Sequence, residues 1–129
     1  MSPSEKFGQA AIQARKYFIM GLVNSPRNAW DKATNEIFEK WYYREKPCPR
    51  SAFLGLCEEG LVKDIPRGNY SNATKNKEYA IKAVTMLKDS PSWRNNKRSL
   101  WKEIVKKKPI SYDYQLDVVF ALWDNKLIT

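Results

Sequence analysis

Cysteine and the carboxylates are the side chains of this sequence best suited to chemistry. Cys48 stands in the run Arg44-Glu45-Lys46-Pro47-Cys48-Pro49-Arg50, where Pro49 opens an expected helix. A thiol at a helix N-terminus among cations is pushed toward thiolate, the form that serves as nucleophile or redox sensor. Such a thiol also needs a base to take its proton, and the chain contains no histidine. The same absence removes the commonest general base and the commonest metal ligand, and with them most hydrolase arrangements. Cys48 therefore reads as a capping or packing residue, and Cys57 as core. Glu58, Glu59 and Asp64 are close enough in sequence to suggest a Mg²⁺ site for phosphodiester chemistry. Adjacent helical positions diverge by about 100°, however, so Glu58 and Glu59 do not converge on one ion. Two cysteines without histidine also argue against structural zinc. No catalytic residue, metal or cofactor is assigned, and the chain reads as non-enzymatic.

The cations form the stronger signal. The 129 residues carry 23 Lys and Arg against 14 Asp and Glu, a net charge of +9. Residues 63–108 hold thirteen Lys/Arg and four Asp/Glu, so the whole excess lies there while the flanking segments cancel. A polyanion is the natural partner of such a block, because each neutralised phosphate releases condensed counterions. Lys63, Arg67, Arg94, Lys97, Arg98, Lys102 and Lys106 are the candidate nucleic-acid-binding residues. Trp93 and Tyr70 are expected in loops beside them, where the bases of a single strand would stack. Trp30, Trp41, Trp101 and Trp123 fall at core-stripe positions and read as packing. A basic face on a helix can also be a solvated surface and nothing more.

These residues need elements to position them, and apolar spacings of three and four predict an all-α, single-core bundle of five to six helices. Phe7, Ala11, Ala14, Phe18 and Leu22 mark a first helix over 4–22. Ser25-Pro26 caps and opens a second, with Trp30, Ala33, Ile37 and Trp41 on one face up to Tyr42. A third, from Pro49 to Leu61, is apolar around most of its circumference and is expected to be the most buried, with Gly60 as terminator. Thr74 caps a fourth that carries Tyr79, Ala80, Ala83, Val84 and Leu87 and ends at Asp89-Ser90-Pro91. In the fifth, Leu100, Trp101, Ile104 and Val105 oppose a stripe of Lys97, Arg98, Lys102, Lys106 and Lys107. Asp113 is expected to cap the sixth, with Leu116, Val119, Phe120, Trp123 and Leu127. Pro66-Arg67-Gly68-Asn69 has the chemistry of a tight turn, which leaves room for a small wing-like β-hairpin at 62–71.

Two resemblances bear on the middle of the chain. Phe53 to Val62 running into Lys63 to Tyr70 is similar to the end of a recognition helix entering the wing of a winged helix-turn-helix domain. That likeness implies phosphate contacts at Lys63 and Arg67, with Arg50 or Ser51 at the helix front. A longer pattern comprises Asn24 to Trp30, Cys48-Pro49-Arg50-Ser51-Ala52-Phe53-Leu54-Gly55-Leu56-Cys57-Glu58-Glu59-Gly60, Gly68 to Tyr70 and Asn76 to Ala80. They resemble a family of small uncharacterised bacterial proteins of unknown function, which implies a shared block from Cys48 to Tyr79 and brings no activity with it.

The expectation is a small basic helical module that binds nucleic acid, DNA or RNA, through its Lys/Arg face. The alternative is an adaptor or inhibitor that docks the same face on an acidic protein. Two cysteines are too few for a disulfide framework and fit a reducing, cytoplasmic setting. No apolar run approaches a membrane span, and Tyr17 to Val23 is too short and too late for a signal peptide, so no membrane partner is expected.

Overall fold

A computed structural model describes residues 1–72 and 74–129 of the chain. Among the described residues it is all-helical: α1 Pro3–Ile19, α2 Pro26–Ile37, a single turn α3 Trp41–Arg44, α4 Pro47–Glu58, α5 Lys75–Asp89, α6 Lys97–Val105 and α7 Gln115–Asp124. A 3₁₀ segment, Pro91–Asn95, leads into α6. None of these helices is long and apolar enough to cross a membrane.

The caps explain the starts. Ser2 and Glu5 form a reciprocal capping box on α1, Ser25 accepts from the Asn28 amide on α2, and Asn96 accepts from the Ser99 amide on α6, each satisfying a donor the helix itself cannot. Pro47 and Pro49 both fit the first turn of α4, where no amide is needed, so the helix begins two residues before the expected Pro49. It closes with Gly60 at φ +71. The Leu61 amide returns to the Leu56 carbonyl at 2.9 Å and the Gly60 amide to Cys57 at 3.0 Å, the paired bonds of a Schellman ending.

One cluster of buried side chains draws on every helix except α3. α4 lies at its centre, with Ala52 through Cys57 buried in an unbroken run, and packs on α2, α5 and α7. α1 lies across α2 and α7, so closely that a Cβ on Gly8 would come within 2.9 Å of the Ala121 Cβ. An aromatic spine threads this core. Phe7 is 4.5 Å from Phe38 and 4.8 Å from Tyr114, centroid to centroid.

Four expectations are corrected. The second helix stops at Ile37, because Phe38 leaves the helix in an extended conformation to bury itself against Phe7. The helical register is lost there, and Trp41 is 67% exposed instead of sitting on a core stripe. The sixth helix is not capped by Asp113, whose carboxylate pairs with Lys46 at 3.0 Å. Tyr114, at φ +68, holds the N-cap position without a side-chain bond.

The hairpin at 62–71 is absent, and with it the wing. Glu58 accepts the Tyr70 and Ser71 amides at 2.8 and 3.1 Å, and the Tyr70 hydroxyl donates to the Pro66 carbonyl. Amides that a strand partner would use are thus taken by a helix side chain. Val62 instead forms one antiparallel bridge with Ile128. α4 is no recognition helix either, since its circumference is buried and Arg50 is bound to Asp31 at 3.1 Å.

Candidate functional site

Eight of the thirteen cations of the basic block fall into three settings. The first is a neutralised network around the loop that follows α4. Lys77 reaches Glu58 at 2.5 Å and Glu59 at 2.7 Å. It gets there because α5 crosses α4 at Gly55, where a Cβ would lie 2.6 Å from the Lys77 Cβ. The Lys77 ammonium and the two amides hold the Glu58 carboxyl below its ordinary value. On the other side, Arg27 donates to the Tyr70 carbonyl at 2.6 Å and reaches Asn72 at 3.4 Å. Arg27, Gly55, Glu58, Gly60, Gly68, Tyr70 and Lys77, scattered over the quoted block, therefore converge to pin one loop.

The second setting holds two of the expected site residues. Arg94 grips Asp124 through two bonds of 2.9 and 2.8 Å, with its guanidinium 4.2 Å from the centre of the Phe120 ring. Lys97 pairs with Asp117 at 3.0 Å. Asp117 also accepts the Tyr112 hydroxyl at 2.5 Å, and burial, reinforced by that carboxylate, pushes the Tyr112 phenol well above its ordinary range. These two cations are already engaged by the protein.

The third setting is open. Arg98, Lys102, Lys106, Lys107 and Lys108 are exposed and, among the described residues, make no ion pair. Arg98 and Lys102 lie one turn apart on α6 and are exposed, whereas Leu100, Trp101, Ile104 and Val105 are buried. Lys97 and Arg98 open the helix with no acidic residue in the first turn. Two cations there oppose the helix dipole and favour an anion from outside. Lys106 ends the helix at φ +56, ψ −129, a conformation suited to glycine.

Lys63 and Arg67 stand apart from this face. The Lys63 amide donates to Leu127 at 2.8 Å and its carbonyl accepts from Arg15, at the end of α7 remote from Asp117 and Lys97. That is the length of α7 away, about 15 Å. Arg67 lies along Gly60. The seven expected residues are thus not one surface: Arg98, Lys102 and Lys106 share a face, Arg94 and Lys97 border it in ion pairs, and Lys63 and Arg67 lie elsewhere. Of the two loop aromatics, Tyr70 folds back over Gly68 and Trp93 packs on the core.

Cys48 is half-buried. Burial first, then the nearby Asp113 carboxylate, raises its thiol pKa, the opposite of the expected activation. Its hydrogen-bond neighbours are Asn76 and Asp113, and Gln115, almost wholly buried, donates to Asn76 at 3.2 Å. Cys57 is buried and its thiol is likewise raised by burial. Among the described residues no group of three His, Cys, Asp or Glu side chains is placed to hold a metal ion.

A family model described as a family of unknown function (DUF6979) matches residues 4–129. The chain belongs to this family. No curated protein and no solved structure matches the chain significantly. The family match spans both the pinned loop and the open face of α6.

Proposed function

We propose that this member of the family binds nucleic acid without catalysis, through the open face of α6 and the turn that follows it. One observation carries the reading. The basic block spends Lys77, Arg94 and Lys97 on internal carboxylates and leaves Arg98, Lys102, Lys106, Lys107 and Lys108 exposed and, among the described residues, without an ion pair. Stability does not require such an arrangement. Exposed like charges repel, and cations in a first helical turn cost about 0.3–1 kcal/mol each. A phosphate backbone would supply the missing counter-charge and release condensed ions as it did so.

The test is binding of labelled oligonucleotides by fluorescence anisotropy at rising salt. Five phosphate contacts give a log-log slope of about −3.5 on single strands and −4.5 on duplex. Affinity then falls about a hundredfold or more between about 50 and 200 mM salt. An affinity indifferent to salt would end the proposal. No binding at low salt, together with stoichiometric recovery of one acidic protein, would move the face to protein docking.

A further inference from the structure

Beside the open face lies a cleft of about 440 Å³, lined by Lys97, Arg98, Trp101, Lys102 and Tyr112. We propose that it takes an unpaired base, so that the partner is single-stranded nucleic acid; this rests on the phosphate-binding reading of the α6 face.

The walls are two aromatic rings set edge to face, with centroids 5.3 Å apart and planes at 73°. Their polar atoms are already committed. The Trp101 indole N–H donates to the Ile110 carbonyl at 3.3 Å, and the Tyr112 hydroxyl donates to Asp117. Tyr79 braces Trp101 from behind, 5.5 Å away and nearly perpendicular. The rings are therefore fixed before any ligand arrives; Trp101 is 7% exposed, so Tyr112 supplies most of the open ring surface, and what it offers is π-surface and not hydrogen bonds. A sequence-tolerant stacking platform needs that combination, since every base has a π-face.

The rim decides what kind of planar group enters. Arg98 and Lys102 flank the cleft, exposed and unpaired, whereas Lys97 turns its ammonium to Asp117 and lies 5.1 Å from the centre of the Tyr112 ring. An apolar slot between two free cations matches a group that is flat at its centre and anionic on both sides, as a nucleotide within a strand is. Duplex keeps its base faces stacked inside the helix and presents only phosphates to this surface. An apolar side chain of a protein partner would fill the slot but leave both cations unmatched.

Two single strands of equal length and charge separate base from backbone, a DNA of mixed sequence and the same strand with abasic residues, and a duplex of the same length is the third probe. The intact strand is expected to bind about five- to a hundredfold tighter than the abasic strand for each base engaged. Equal binding by intact and abasic strands would overturn the base pocket and leave the phosphate reading standing. No binding by any of the three at low salt would remove the phosphate reading and this inference with it. A strand carrying 5-bromouracil places the contact without mutating the core: photocrosslinks should map to Trp101 or Tyr112. Crosslinks confined to Trp41 or Trp93 would overturn the assignment.

Discussion

Lys77 and Lys102 come from the same basic block, yet their surroundings differ in every respect that matters. Around Lys77 each charge meets its opposite: two carboxylates on one ammonium, and two amides and an ammonium on Glu58. Lys102 shares an aromatic cleft with Arg98, and among the described residues neither makes an ion pair. Charge density alone does not separate the two regions; the number of internal partners does. Where the protein satisfies its own charges, removing one destabilises the fold. Where it does not, removal leaves the fold alone and is felt by whatever binds.

The strongest way to break this contrast is to reverse the open face. Arg98→Glu, Lys102→Glu and Lys106→Glu together should lower oligonucleotide affinity a hundred- to a thousandfold, about 3–4 kcal/mol, for all sequences alike. The circular dichroism spectrum should stay that of the parent and the stability in urea should change by no more than about 1 kcal/mol, because these side chains are exposed. Loss of folding would show that the face is structural after all. Next comes the closed network. Glu58→Ala leaves Lys77 with Glu59 alone and two loop amides without an acceptor, which should cost about 2–3 kcal/mol by urea denaturation. Oligonucleotide affinity per folded molecule should not change.

Glu58 also sharpens the comparison through pH. Its folded-state pKa is held below the unfolded value, so its contribution is fully present above the unfolded carboxyl range, about pH 4.3. It declines as pH falls through that range and is gone below the folded value. Glu58→Gln should therefore flatten the acid limb of a stability-versus-pH curve, while a neutral replacement on α6 such as Lys102→Gln leaves that limb's shape alone. An unchanged acid limb in Glu58→Gln would show that the network is not electrostatic.

Two smaller effects should carry opposite signs for folding and binding. Lys106→Gly relieves the φ +56, ψ −129 conformation and should raise stability by about 1 kcal/mol while removing one phosphate contact from the salt slope. Arg98→Glu alone puts an acid in the first turn of α6 and should add about 0.3–1 kcal/mol to stability. It should weaken binding at the same time. A single substitution that moves the two measurements in opposite directions is difficult to explain if the stripe is only a solvated surface.

Much of the fold was legible because it is written in local periodicity. The apolar stripes of α1, α5, α6 and α7 follow spacings of three and four, and Ser25-Pro26 marked the start of α2. What could not be read locally was where a distant residue interrupts the pattern. Phe38 breaks α2 for the sake of Phe7, thirty-one positions earlier, and that contact moved Trp41 from core to surface. The wing failed for a related reason, since a carboxylate on α4 captured the amides that a strand would have used.

The α6 stripe was legible as a pattern of types. Its division into free and engaged cations was not, because Arg94 finds Asp124 and Lys97 finds Asp117 only through the placement of α7. Tyr112 carried no signal. It lies in 109–114, a stretch without periodicity, and becomes informative only beside Trp101.

The tail of the chain has a consequence for the order of assembly. The Thr129 amide and hydroxyl donate to the Leu61 and Gly60 carbonyls, and Val62 bridges Ile128, contacts between residues 66 to 69 positions apart. Closing so wide a loop costs more chain entropy than any turn inside a helix and wins only a few exposed bonds in return. Those bonds should be the last to form when the protein folds and the first to open in hydrogen exchange, with α4 and its Schellman ending already protected. The segment 127–129 is then a latch that closes on the stretch at 60–63, and the moment it closes marks the end of folding.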